Sequence, residues 1–219
     1  NSTLSGSMAS AGGGIANMGA GSLSVVNSTL SGNWTSATGA GGGVFNNSSG
    51  QATISNSTLS GNSSYDGGGV YNNSGATLTV SASTVSGNSS TGEYGTGGGI
   101  VSHGTLTVLN STVSGNSASY IGGGIAVMDG TSSVQNSTLS GNSSKSGGGI
   151  YNMKTSTLSN TIIANSPTGG DCRNTGTITA DHTLIEASGG TACDLINGVN
   201  GNIIGVDPLL GSLGNYGGD

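Results

Sequence analysis

The side chains able to do acid–base or metal chemistry are few in this chain. It has nine acids, three bases, two histidines and two cysteines among 219 residues. Asp66, Glu93 and Asp129 stand alone in separate parts of the chain, and Asp171, Asp181, Glu186, Asp194, Asp207 and Asp219 crowd the C-terminal fifth. Glycoside hydrolysis needs two carboxyls facing one sugar, and a lyase site needs clustered acids beside a Lys or Arg base. No two acids recur at equivalent repeat positions, and Lys145, Lys154 and Arg173 are the only bases. Asp181 and Glu186 are close in sequence but read as ordinary surface acids. His103 is isolated, His182 has no partner of ligand type at metal spacing, and the calcium nonapeptide is absent, since "YDGGGV" has the wrong order. The expectation is no catalytic residue, no metal and no cofactor.

The elements that carry these residues are announced by a phrase. "NSTLSGN" occurs at 27–33, 56–62 and 136–142, with near-copies at 1–7, 82–88 and 110–116 and degenerate ones at 160 and 182. A second anchor, GGG followed by an aliphatic residue, keeps step at Ile15, Val44, Val70, Ile100, Ile125 and Ile150. A third is an alternating segment before the next phrase, such as LTVS at 78–81 and LTVL at 106–109. Apolar residues alternate with Ser, Thr or Tyr, the two-residue period of a strand. The insertions fall between anchors, where loops absorb them.

Three short strands and three corners in about 26 residues describe an all-β parallel β-helix, each coil stacked on the last at about 4.8 Å. The spacing predicts about eight rungs, regular over 1–159 and degenerate over 160–219. Propeller blades need a longer repeat, and leucine-rich repeats need an irregular or helical return. With 45 Gly but no Gly at every third position, and with 2 Pro, collagen is excluded. The fixed hydrophobic positions argue against disorder.

Stacking places like residues above one another. Two buried asparagine ladders are expected: Asn1, Asn27, Asn56, Asn110, Asn136 and Asn160, interrupted by Ala82, and Asn33, Asn62, Asn88, Asn116 and Asn142. His182 continues the first column. Leu4, Leu30, Leu59, Val85, Val113, Leu139, Ile163 and Ile185 form the inward stack between them, with flanking Thr and Ser outward. With the first Asn column inside, its N-x-[ST] sequons cannot carry glycans. Asn46, Asn47 and Asn72 are nearer loops and the better candidates.

These repeats resemble the right-handed parallel β-helix proteins of bacterial cell surfaces, the secreted proteins that often carry an N-terminal CSLREA-type domain. The likeness rests on "NSTLSGNSSKSGGGIYN" at 136–152 and on the closing GGDC, second Cys and DPLLGSLGNYGG. It covers essentially the whole chain, with the family's usual N-terminal domain expected to be absent from it. It implies the fold and an extracellular or cell-surface location, and implies little about activity.

Three surface features carry functional expectations. Trp34, Tyr65, Tyr94 and Tyr120 lie in the loops between phrase and GGG, where aromatics stack on sugar rings. Phe45, Tyr71, Val101, Ala126 and Tyr151 follow the GGG anchor and should form an outward apolar stripe, a contact surface. The Thr-x-Ser rows are similar to the hydroxyl faces of ice-binding proteins. A net charge of −6 argues against nucleic acid, and no apolar run spans a membrane. Cys172 takes the aliphatic place after GGD, and Cys193 follows about one rung later, predicting a disulfide and an oxidising compartment. The first rung starts inside the phrase, so head-to-tail stacking with a second copy is expected. The reading is a secreted, fibre-forming or surface-layer protein whose partners are itself and a surface polysaccharide. A sugar-binding adhesin is the alternative, followed by a polysaccharide lyase or hydrolase and an ice-binding protein.

Overall fold

The computed structural model describes residues 1–211. Asp219 and the rest of the closing GSLGNYGGD beyond Gly211 lie outside them. The chain winds as a parallel β-solenoid of about seven full turns, with no α-helix among the described residues. One turn shows the plan. The phrase forms Thr58–Ser60, a corner leads to Ser63–Ser64, a loop and the glycine triplet lead to Val70–Asn72, and Thr77–Ser81 closes the coil. Each strand pairs in parallel with its equivalents one coil before and after. The coil therefore has four strands where the spacing indicated three. The extra one is two residues long, too short to show a period of two. The phrase sheet reaches nine strands, ending with Ile203–Ile204, while the triplet sheet and the long sheet each stop at seven.

Each letter of the phrase has a physical task. Asn27, Asn56, Asn110, Asn136 and Asn160 sit at φ between 48° and 50°, in the left-handed region that Asn tolerates better than most residues. They turn the chain from the long sheet into the phrase sheet. The following Ser goes inside. Ser57 Oγ donates to the Ser55 carbonyl at 2.7 Å and accepts the Ser28 amide at 3.1 Å. Ser83 and Ser111 repeat this, accepting from Ser57 and Ser83 at 3.0 and 3.1 Å. The apolar residue of the phrase is buried: Leu30, Leu59, Val85, Val113, Leu139, Ile163 and Ile185 are all fully enclosed. Each contributes about 1.5–3 kcal/mol through removal from water. Gly61 at φ 61° turns the chain again, and Asn62 points inward.

The glycine triplets are required by crowding between coils. Gly97 adopts φ 60°. At Gly98 a Cβ would lie 2.5 Å from the Gly123 carbonyl oxygen and closer still to that of Ser117. Only a residue without a side chain lets successive coils approach there.

One ladder is built as the spacing indicates. Asn33, Asn62, Asn88, Asn116 and Asn142 are fully buried. From Asn33 to Asn116, each side-chain amide donates to the Oδ1 of the next coil at 2.9–3.0 Å. The same Oδ1 accepts the preceding coil's backbone N–H, and the amide's other hydrogen reaches the preceding coil's phrase carbonyl.

The other column is a correction. Asn1, Asn27, Asn56, Asn110, Asn136 and Asn160, with Ala82 and His182, are exposed corner residues. The left-handed backbone aims their side chains outward. Asn160 does donate to Asn136 at 3.2 Å, but in solvent. A second buried ladder stands elsewhere, two residues after the triplet-sheet aliphatic. Asn17 donates to Asn46 at 2.8 Å, Asn46 to Asn72 at 2.9 Å, Asn72 to the Ser102 hydroxyl at 3.0 Å, and Asn152 to Asn174 at 2.7 Å.

Candidate functional site

Three carboxylates, those of Asp66, Asp171 and Glu186, hold loops. Asp66 Oδ1 accepts from the Thr96 amide at 2.8 Å and from its hydroxyl at 3.0 Å. Asp171 is buried, and its two oxygens take the amides of Ser166 and Ala187 at 3.2 and 2.7 Å. Glu186 accepts the Asn165 amide at 2.6 Å. Asp129 pairs with Lys154 at 3.5 Å, and Asp181 lies 3.0 Å from His182. These are ties within and between coils. Among the described residues no group of three or more His, Cys, Asp or Glu side chains gathers as a metal site.

Cys172 and Cys193 form a disulfide with Cα atoms 5.0 Å apart. Cys172 replaces the triplet-sheet aliphatic, pairs in register with Ile150, and is fully buried. The bond clips the last coil to the segment that follows it. Disulfides of this kind persist in oxidising compartments. No helix among the described residues is long and apolar enough to cross a membrane.

The column after the triplet is not the exposed stripe that alternation suggests. Val101 and Ala126 are fully buried, and Phe45, Tyr71 and Tyr151 are half-buried. Val101 lies so close to the Gly67 backbone that a Cβ there would be 2.9 Å from its Cγ1. Phe45 stacks on Tyr71 with centroids 5.4 Å apart, and Tyr71 meets His103 at 5.5 Å. Burial, followed by the nearby Asp66, pushes the Tyr71 phenol up. Burial holds the His103 imidazole below its ordinary value, against the opposing pull of Asp129 and Asp66. This is a self-packed cluster.

The loop aromatics divide. Trp34 is exposed on the short sheet, in register with Met8 and Ser63. The Tyr65 ring lies against Gly92, where a Cβ would be 2.6 Å from it. Tyr94 and Tyr120 are exposed and meet edge to face at 5.6 Å. Tyr120 then forms one wall of a cleft of about 580 Å³ with Lys145, Tyr151 and Arg173. In the repeat pattern Tyr120 and Tyr151 belong to separate surfaces, and Lys145 and Arg173 carry no expected role. Their meeting depends on loop lengths between coils, which the repeat pattern does not specify.

The sequon asparagines also change places. Asn46 and Asn72 are fully enclosed, so neither is open to a glycan, and Asn47 is half-buried, accepting from Asn73 at 3.0 Å. The exposed sequons are those at Asn1, Asn27, Asn56, Asn110 and Asn136. On the outer phrase face the Thr row runs in register from Thr3 to Thr138 and then meets Ile162. Leu210 and Gly211 lie against this face, enclosing a groove of about 1020 Å³ with Ser86, Thr112 and Ser140 among its lining. No protein family, no curated protein and no solved structure matches the chain.

Proposed function

We propose that the chain is a structural segment of an extracellular rod, related to the secreted β-helix proteins of bacterial surfaces. The observation that carries this reading is the use made of the polar groups. Asparagines and serines are laid in continuous hydrogen-bonded columns along the axis, and Asp66, Asp171 and Glu186 tie loops. A polar network satisfied inside a packed core rigidifies and specifies one arrangement. The disulfide supports an oxidising, external location.

End-on stacking of coils is part of this proposal. Thr3–Ser5, Met8–Ala9, Ile15–Asn17 and Ser22–Val26 pair on one side only among the described residues. Leu4, Ile15 and Leu23 are half-buried where Leu30, Val44 and Ala52 in the next coil are enclosed. Coils of this plan stack edge to edge, within one chain or between two copies head to tail. Electron microscopy of the intact native protein tests the reading. Straight rods of constant width are expected, and compact particles with no elongated axis would refute it.

A further inference from the structure

The geometry points to the cleft between Tyr120, Lys145, Tyr151 and Arg173 as a binding site for an acidic saccharide, a chain of sugars bearing carboxylates. This site is independent of the structural reading above. Its two walls follow from the stacking. On one, the Lys145 amide donates to the Tyr120 carbonyl at 3.0 Å, and Ile121 bridges in parallel to Ser146, so Tyr120 and Lys145 occupy successive coils. On the other, Tyr151 is in direct register with Arg173, so these two also occupy successive coils and project outward together. Each wall therefore runs from an aromatic ring to a cation one coil further on. Gly169 and Gly170 line the space as well.

The charge distribution singles out this place. The chain carries nine acids against three bases, yet two of the three bases line one cleft. The third, Lys154, is paired with Asp129. Among the described residues neither Lys145 nor Arg173 forms an ion pair. The acids near this place are held otherwise or stand outside ion-pair distance. Asp171 is buried and bonded to backbone amides, and Asp194, whose carboxylate and the Arg173 guanidinium both lie within 4 Å of where a Gly190 Cβ would stand, forms no ion pair with it. A sugar ring presents an apolar face to a tyrosine and a carboxylate to a guanidinium fork or an ammonium. An alternation of ring and charge along two walls fits a ligand that carries both. Tyr94, edge-on to Tyr120, extends the aromatic side.

Titration calorimetry of the intact chain with a hexuronic acid oligosaccharide tests the assignment, alongside a neutral oligosaccharide of equal length and inorganic sulfate. Saturable binding of the acidic oligosaccharide is expected, with the neutral one and sulfate each at least tenfold weaker. Lys145→Gln, Arg173→Gln and Tyr120→Ala should each weaken it about tenfold, while Lys154→Gln leaves it unchanged. All four positions are on the surface, and circular dichroism checks that each variant keeps its β signal. Sulfate binding as tightly as the oligosaccharide would reduce the site to a simple anion contact and overturn the proposal. So would no binding at millimolar ligand, or equal loss in the Lys154 variant.

Discussion

Replacing Asn88 by alanine removes the middle member of the inner ladder. Four side-chain hydrogen bonds disappear: Nδ2 to Leu59 O at 3.0 Å, Nδ2 to Asn116 Oδ1 at 2.9 Å, and acceptance at Oδ1 from both the amide and the side chain of Asn62 at 2.9 Å. A net contribution of about 1 kcal/mol each gives a loss of about 4 kcal/mol. The Asn62 backbone N–H is left buried with no partner, which makes the loss hard to relax. The control is Asn110→Ala at the exposed corner. Its side chain is in solvent, so the cost is that of holding alanine in a left-handed backbone, about 1 kcal/mol. Ala82 already occupies that conformation at φ 45°, and Ala82→Gly should recover about 1 kcal/mol. Urea unfolding compares the variants, and amide hydrogen exchange localises the change. Exchange at the Asn62 amide should accelerate sharply in Asn88→Ala and remain unchanged in Asn110→Ala. Equal losses for the two alanine variants would refute the division into an inner and an outer column.

Gly98→Ala should destabilise by about 3 kcal/mol or more, since its Cβ meets two backbone carbonyls that cannot step aside. A lowered melting temperature measures it. Replacing Cys172 and Cys193 together by serine opens a 21-residue loop and should cost about 3 kcal/mol on the chain-entropy account. Exchange should rise in the coil around Ile185 before it rises around Leu59. His103 sets a pH dependence. Its folded value is lowered chiefly by burial, so the unfolded chain binds the proton more readily. That part of the stability is present above the ordinary imidazole value of about 6.5 and is lost as pH falls through the lower folded value. His103→Gln should flatten the slope of melting temperature against pH in that window.

The repeat length, the parallel stacking and the disulfide were legible because each depends on spacing alone. The two asparagines of the phrase were not distinguished, since both recur at the same interval. The signal lay in their replacements. Ala82 and His182 stand in the first column, and neither could sustain an amide ladder. The Asn17, Asn46, Asn72 and Asn152 ladder was also visible in principle. Each lies two residues after Ile or Val of the triplet strand, and a period of two puts both on one face. The burial of Val101 and Ala126 was not legible, because the alternation that turns them outward says nothing of the neighbouring coils closing over them. The Lys145 and Arg173 cleft was hidden for the same reason. It forms where the wall of Tyr120 and Lys145 meets the wall of Tyr151 and Arg173, and the loop lengths that bring the two walls together are not specified by the repeat pattern.

The central claim is a rigid stack with one coil per rung, and distances along one face measure it most directly. The two native cysteines are bonded to each other, so spin labels attach only at introduced thiols. Thr29→Cys with Thr138→Cys spans four rungs, and Thr3→Cys with Thr138→Cys spans five. At about 4.8 Å per rung these backbone separations are about 19 and 24 Å. Pulsed electron spin resonance should give two narrow distributions whose means differ by about 4.8 Å. Broad distributions, or means that do not lengthen with the added rung, would contradict the stack and the rod built on it.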